Sequence, residues 1–332
     1  MRKLAGWVVA VGAVVTLVAG CGAPTAKSMT SKLQNEVKSL DSQNYKSTAM
    51  MTVQMDNTSQ TYYVETLYEA PNTYRISLGD GNKNINQIIV SNSNGMFIVS
   101  PALQKVFRFN GNWAQNQGHI YLYDQILQQI MSSKDVSVAK SGNNLSFTMP
   151  MTSTSDVVKQ ERVDLNASTL DPAQVVLYDK DKKAVVSIQF TSFKTGVKFQ
   201  TSEFDPHQLA TVGNAAKTTL ANSGSIGYIE PNVTFNGKLS VLQPEESDAT
   251  MLRYQGNKGF TLEEWRPNPG VDGLVNAQLV DMYGVPALYF GGTNAQQMVW
   301  VNNGVEFALT SRELSLDEMQ QVAMSTLSQV GK

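Results

Sequence analysis

Polar and apolar positions along this chain follow two periods, and the switches between them mark out its elements. Over residues 28–40, Met29, Leu33, Val37 and Leu40 recur at three- and four-residue steps and predict an amphipathic helix. From Tyr45 the period drops to two. Tyr45, Ala49, Met51, Val53 and Met55 share one face; Lys46, Thr48, Thr52 and Gln54 share the other, with Met50 out of pattern on the polar side. Further strands are expected over 61–68, 74–78, 87–90, 96–99 and 105–109, with Asn94-Gly95 as a hairpin turn. A helix over 120–131 interrupts them, with Tyr123, Ile126, Leu127 and Ile130 along one side. Strands resume over 136–139, 145–149, 160–165, 174–178 and 184–193. Gly142-Asn143-Asn144, Asp171-Pro172 and Asp179-Lys180-Asp181-Lys182 supply turn chemistry between them. Roughly ten antiparallel strands with two helices imply a large curved sheet, a barrel either closed or half-open.

Around 207–225 the pattern lapses into small and polar residues, which reads as a linker between domains. Beyond it strands are expected over 233–235, 238–241, 250–255, 259–264, 273–280, 285–290, 298–302 and 305–310. Asn302-Asn303-Gly304 is a second hairpin turn. Ser315-Leu316-Asp317-Glu318 has capping-box spacing and opens a final helix whose buried face is Leu316, Met319, Ala323, Leu327 and Val330. The fold class is therefore α+β and mostly β: a first domain over 28–206 and a smaller C-terminal α+β domain over 226–332, ending in a helix.

The first twenty residues read as an address. Met1-Arg2-Lys3 is a basic start, and the apolar run from Leu4 to Val18 is shorter than the roughly 20 residues a spanning helix needs. Together with the small residues that follow, this is the pattern of a secretory signal. Leu17-Val18-Ala19-Gly20-Cys21 looks like a bacterial lipobox, in which the cysteine thiol takes a diacylglyceryl group. The plainer alternative is a secretory signal with an incidental cysteine. Residues 1–20 are thus expected to be a lipoprotein signal peptide, Cys21 the lipid-attachment residue, and 21–27 a tether. Two acyl chains at about 0.8 kcal/mol per buried methylene hold a protein stably on a membrane. The expected location is the outer face of the cytoplasmic membrane. Loss of Arg2 and Lys3 takes the formal net charge from −2 to −4.

Composition narrows the chemistry. A pI near 5.8 argues against a nucleic-acid partner. His119 and His207 are the only histidines and Cys21 the only cysteine, so Cys/His zinc sites, Cys–His nucleophilic pairs, iron–sulfur ligation and an intrachain disulfide are excluded by count. No metal and no cofactor is expected. There is no Gly-x-Ser-x-Gly elbow, P-loop or His-Glu-x-x-His helix. Asp179 and Asp181 fall in a lysine-rich turn. Glu245-Glu246 and Glu263-Glu264 are adjacent, so in extended chain each pair points to opposite faces. His119 at a helix start and His207 after Asp205-Pro206 read as surface or capping residues. An enzyme is not expected.

The first domain is rich in soft apolar residues: Met50, Met51, Met55, Met96, Met131, Met149 and Met151 beside Tyr62, Tyr63, Tyr68, Tyr74, Phe97, Phe107 and Phe109. Methionine is flexible and polarizable and suits surfaces that accept varied apolar partners. The same residues also make an ordinary core, and the sequence does not separate the two.

Three stretches carry a family resemblance: 45–53 (YKSTAMMTV), Gln60-Thr61-Tyr62-Tyr63-Val64-Glu65 and Ala70-Pro71-Asn72-Thr73-Tyr74-Arg75. The run 94–109, Trp113, Tyr121-Leu122-Tyr123 and Glu203-Phe204-Asp205-Pro206 extend it. These segments resemble the outer-membrane lipoprotein carrier (LolA-like) superfamily, and within it the sporulation branch of Gram-positive lipoproteins, YdcC-like and more distantly GerS-like. The second domain, through Met298-Val299-Trp300 and the helix over 315–327, resembles a module that often ends such lipoproteins.

The resemblance implies an unclosed antiparallel β-barrel with covering helices, whose apolar face receives lipoprotein acyl chains, and a role in sporulation, germination or envelope upkeep. The face so implied comprises Met51, Val53, Met55, Tyr62, Val64, Tyr68, Tyr74, Ile76, Phe107 and Phe109. A lipid on Cys21 would keep the protein attached, which favours a fixed acceptor or partner-binding role over a soluble shuttle. The expected function is a membrane-anchored, monomeric, non-enzymatic protein that binds a lipid, a lipoprotein acyl chain or an envelope protein through this face. Regulation of a cell-wall enzyme, a peptidoglycan amidase, is the alternative that GerS-like relatives imply.

Overall fold

A computed structural model describes residues 26–55, 58–109, 119–151, 157–212, 228–244, 249–274, 276–282, 284–302 and 304–327. Helix α1 (Ala26–Leu40) precedes six strands: β1 (Tyr45–Met55), β2 (Thr58–Glu69), β3 (Thr73–Gly79), β4 (Ile85–Asn92), β5 (Gly95–Ser100) and β6 (Lys105–Phe109). A 3-10 turn (His119–Tyr121) and helix α2 (Tyr123–Ser132) follow. Then come β7 (Ser137–Ser141), β8 (Asn144–Pro150), β9 (Gln160–Asn166), β10 (Pro172–Tyr178) and β11 (Ala184–Thr195). A second 3-10 turn (Thr201–Phe204) leads into α3 (Pro206–Val212). The remainder holds β12 (Lys238–Pro244), β13 (Ala249–Gln255), β14 (Phe260–Trp265), β15 (Gly270–Leu274) and β16 (Gln278–Met282). It ends with β17 (Val285–Phe290), β18 (Gln296–Asn302), β19 (Val305–Ser311) and α4 (Leu316–Leu327).

Two open sheets result. The first has twelve strands in the order β15-β6-β5-β4-β3-β2-β1-β11-β10-β9-β8-β7; the second has seven, β12-β13-β14-β19-β18-β17-β16. Neighbours in the first sheet are antiparallel except β15, which runs parallel to β6. The period-two reading of β1 is visible in its burial: Tyr45, Ser47, Ala49, Met51 and Val53 are buried, while Lys46, Thr48, Met50 and Thr52 are half-buried. Local turn chemistry placed the hairpins. Asn92 pairs with Gly95, whose φ of 126° needs no Cβ, and Asn302 pairs with Val305 around Gly304.

The first sheet is covered on its inner face and, around β4–β6, on its outer face as well. On its inner face, α1 and α2 pack Leu33, Leu40, Tyr123, Ile126, Leu127 and Ile130 against β1 and its neighbours in one apolar cluster. Tyr45 anchors that layer. Its phenol oxygen accepts the Tyr123 N–H at 2.9 Å, and its ring stacks on Tyr68 at 4.8 Å. On the outer face, Phe204 and Ala210 from the segment after β11 cap a second cluster with Leu67, Ile88, Val90, Phe97, Val99 and Val106. Cover on both faces explains the unbroken apolar run in β4, where Ile89 faces inward while Ile88 and Val90 face outward.

Three expected elements differ. Residues 233–235 are not a strand. The strand expected over 273–280 is divided between β15 and β16, which belong to different sheets. Pro206–Val212, read as the start of a linker, is a helix, with Asp205 Oδ1 accepting the His207 N–H at 2.9 Å.

Candidate functional site

Register brings most of the expected ligand face together. Met51 lies opposite Tyr62, Ala49 opposite Val64, and Tyr45 opposite Tyr68, which itself pairs with Tyr74. Ile76 and Phe107 lie on the same inner side, Ile76 across from Thr66 and Phe107 across from Ile98. Phe109 completes the set. The side chain of Met55 and the whole of Cys21 lie outside the described residues.

This face is filled. Met51, Val53 and Ile76 have no exposed surface, Val64, Tyr68, Phe107 and Phe109 are buried, and Tyr62 and Tyr74 are half-buried against the same cluster. The cover is the chain itself. Besides α1 and α2, the apolar cluster runs without a break into the second sheet through Leu279, Met282, Val285 and Met298.

The second sheet meets this face at the β16–β17 turn. Gly284, with φ 101°, sits against the Met51 sulfur, and its carbonyl accepts the Tyr121 hydroxyl. Burial raises the Tyr121 phenol well above its ordinary range, with Asp281 and Tyr62 adding to this, so it remains a donor. Gln320 of α4 donates to the Asp281 carbonyl at 2.7 Å and ties the turn to the C-terminal helix.

Charged groups of the first sheet also lie within electrostatic reach of β19 in the second. Lys105 of β6, only 6% exposed, pairs with Asp272 of β15 at 2.7 Å. Glu306 of β19 is held up at about 7 by burial; Lys105 pulls it down and Asp272 pushes it up. Glu264 of β14 is also raised to about 7 by burial, although its carboxylate accepts the Ile229 N–H at 2.9 Å. Its neighbour Glu263 is exposed on the opposite face, as adjacency in a strand requires. Glu245 and Glu246 lie outside the described residues. Asp179 closes a turn by accepting the N–H groups of Asp181 and Lys183, each at 2.8 Å. Among the described residues no three His, Cys, Asp or Glu side chains converge as metal ligands, and no helix is long and apolar enough to cross a membrane.

On the outer face a cleft of about 660 Å³ opens between the β4–β5 turn, Arg108 of β6, the segment Thr201–His207 and Val271 of β15. Phe97 and Phe204 form its apolar floor, while Glu69, Asp205 and His207 give it polar walls. Sequence reading missed it because its walls come from five separated stretches of chain.

Comparison with known proteins places the chain. Residues 2–204 match the family described as "Sporulation protein YdcC-like". Sporulation protein YdcC of Bacillus subtilis (strain 168) is 26% identical over 327 residues, covering 96% of this chain and 95% of that protein. Among solved structures, the complex of Pseudomonas aeruginosa MucA and MucB is similar with a TM-score of 0.34 and 13% identity, covering 89% of this chain and 96% of that one. A LolA superfamily protein of Nitrosomonas europaea gives 0.28 at 9% identity over 55% and 98%. The CwlD amidase of Clostridioides difficile in complex with the GerS lipoprotein gives 0.23 at 13% identity over 53% and 97%.

Proposed function

The chain belongs to the YdcC-like family of sporulation proteins, and from that premise we propose that it is a non-enzymatic lipoprotein, tethered through diacylglyceryl-Cys21 to the outer face of the cytoplasmic membrane, that works by binding an envelope protein rather than by carrying an acyl chain. The observation that supports this over acyl binding is the filled inner face. Met51, Val53 and Ile76 are wholly buried, and the Gly284 turn of the second sheet rests against Met51. An apolar ligand in that space would have to displace about a whole layer of packed side chains, each contributing roughly 1.5–3 kcal/mol. A cell-wall amidase is the partner class that the family resemblance suggests.

Native mass spectrometry of the protein truncated after Cys21 tests the choice. The expected spectrum is apoprotein alone; a stoichiometric acyl lipid would overturn the reading. Recovery of a peptidoglycan hydrolase with the intact lipoprotein from sporulating membranes is expected alongside it. Tethering is tested separately: Cys21→Ala should move the protein out of the membrane fraction, and unchanged fractionation would refute the anchor.

A further inference from the structure

We propose that the free edge of β15, with the outer cleft beside it, is a docking site for an extended peptide segment of a partner protein, which joins the first sheet as one further strand. This rests on the protein-binding reading above and names the surface that serves it.

Among the described residues β15 ends the strand order of the first sheet. The Gly270 N–H donates to the Gln104 carbonyl at 3.1 Å, so the main-chain groups of Gly270, Asp272 and Leu274 face β6. By the alternation of a strand, the N–H and C=O groups of Val271 and Gly273 face away from the sheet. Two donors and two acceptors in ladder spacing specify their partner: an extended backbone.

Natural sheets blunt such edges with lysine, proline, bulges or a covering element. The edge strand β12 of the second sheet shows three of these devices, Lys238, Pro244 and a bulge between Leu239 and Val241. β7 carries Lys140. β15, Gly-Val-Asp-Gly-Leu, has no lysine, proline or bulge, and among the described residues nothing lies within 4 Å of where a Cβ would stand at Gly270 or Gly273.

The adjoining surface fits the side chains of such a strand. Val271 pairs with Val106 on the outer side and is 51% exposed, the most of any large apolar residue among the described residues. It forms one wall of the cleft floored by Phe97 and Phe204. Arg108 is held across that cleft by its bond to the Asn94 carbonyl at 3.0 Å. A docked strand would place an apolar or aromatic side chain beside Val271 and over this floor. β15 itself reaches β6 by strand addition from a distant part of the chain, so the docked segment continues an interface that the fold already uses.

The test is to pan the intact protein against a random linear peptide library and measure the affinity of an enriched peptide by fluorescence anisotropy. Val271→Pro and Gly273→Pro each remove an outward donor without touching the ladder to β6, and each should weaken binding roughly tenfold or more. N-methylation of the peptide should abolish binding at alternate positions only. The amides of Val271 and Gly273 should gain hydrogen-exchange protection when the peptide binds. Should a proline variant fail to fold, the N-methyl series on the unaltered protein decides. No enriched peptide, or binding indifferent to both proline substitution and N-methylation, overturns the proposal. Those outcomes leave the lipid spectrum untouched, so the edge can fail while the protein-binding reading stands.

Discussion

Gly284, in a turn of the second sheet, and Met51, in the first sheet and far away in sequence, touch: the Cβ that any other residue would carry at Gly284 falls on the Met51 sulfur. The same glycine has φ 101° and receives the Tyr121 hydroxyl on its carbonyl. Backbone conformation, close approach and a buried hydrogen bond therefore converge on one residue. It is the point where the second sheet closes the inner face of the first.

Gly284→Ala is expected to destabilise the protein by about 1–3 kcal/mol, from left-handed backbone strain plus overlap with Met51. Met51→Ala opens a cavity and should cost a comparable or larger amount alone. In the double variant the overlap is gone, so the combined loss should be smaller than the sum. Denaturant unfolding of the four proteins checks this. Strict additivity would mean that the turn and Met51 do not bear on each other.

Placing Asp at Met51 or Val53 puts an unpaired charge at a fully buried position and is expected to cost several kcal/mol, abolishing folded, soluble protein. On the opposite face of the same strand, Lys46→Ala removes only a part-exposed pair with Glu65, 2.7 Å long, and should cost under about 1 kcal/mol. Circular dichroism and expression yield distinguish these outcomes. A folded Met51→Asp protein with an unchanged melting temperature would show that the inner face admits water.

What could be read from the sequence follows the range of the interactions. Alternation in β1, the Asn94-Gly95 turn and the α4 capping motif are decided within a few residues, and each is where periodicity and turn chemistry put it. The apolar face was legible for the same reason, since period two assigns sides. That the face is closed was not legible, because its cover comes from Gly284, more than two hundred residues after Met51 in the chain. The division of 273–280 is a similar case. Its composition suits one strand, but Gly270–Leu274 finds an unpaired edge at β6, and only the tertiary fold brings that edge near. The residues 233–235 are β-branched and aromatic, yet the Val233 N–H is taken by Ser325 of α4 instead of a ladder.

The α4 cap offers a local test. Ser315 Oγ accepts the Glu318 N–H at 3.3 Å, and Glu318 Oε2 accepts the Ser315 N–H at 2.8 Å. Lys258 adds a contact of 3.0 Å to the same carboxylate. Ser315→Ala should cost about 1 kcal/mol, and Glu318→Gln less, since an amide oxygen still accepts the N–H. Thermal melts check the ranking; equal and negligible losses would show that the helix start is held by Leu314 and Leu316 packing alone.

Glu264 and Glu306 make stability depend on pH in an unusual direction for carboxylates. Both have an ordinary value of 4.5 and are raised to about 7 in the folded protein, chiefly by burial. Between these values the folded state holds protons that the unfolded chain has released, so stability falls as pH rises from about 4.5 to 7 and levels off above that. The loss is at most about 3 kcal/mol for each group. Glu65 works the other way: burial raises it, but the bonds from Lys46 and Arg75 outweigh this and hold it below its ordinary value. Its contribution is present above about pH 4.5 and is lost as the pH falls below that. Glu264→Gln keeps an oxygen for the Ile229 N–H while removing the titration, so it should flatten the slope between pH 5 and 7 and raise stability at pH 8. Glu306→Gln should flatten it too, with less gain at pH 8, since the charge it removes faces Lys105. Urea midpoints across this range decide the matter. A flat profile for the unaltered protein, or a slope that survives both substitutions, would place the titrating groups elsewhere.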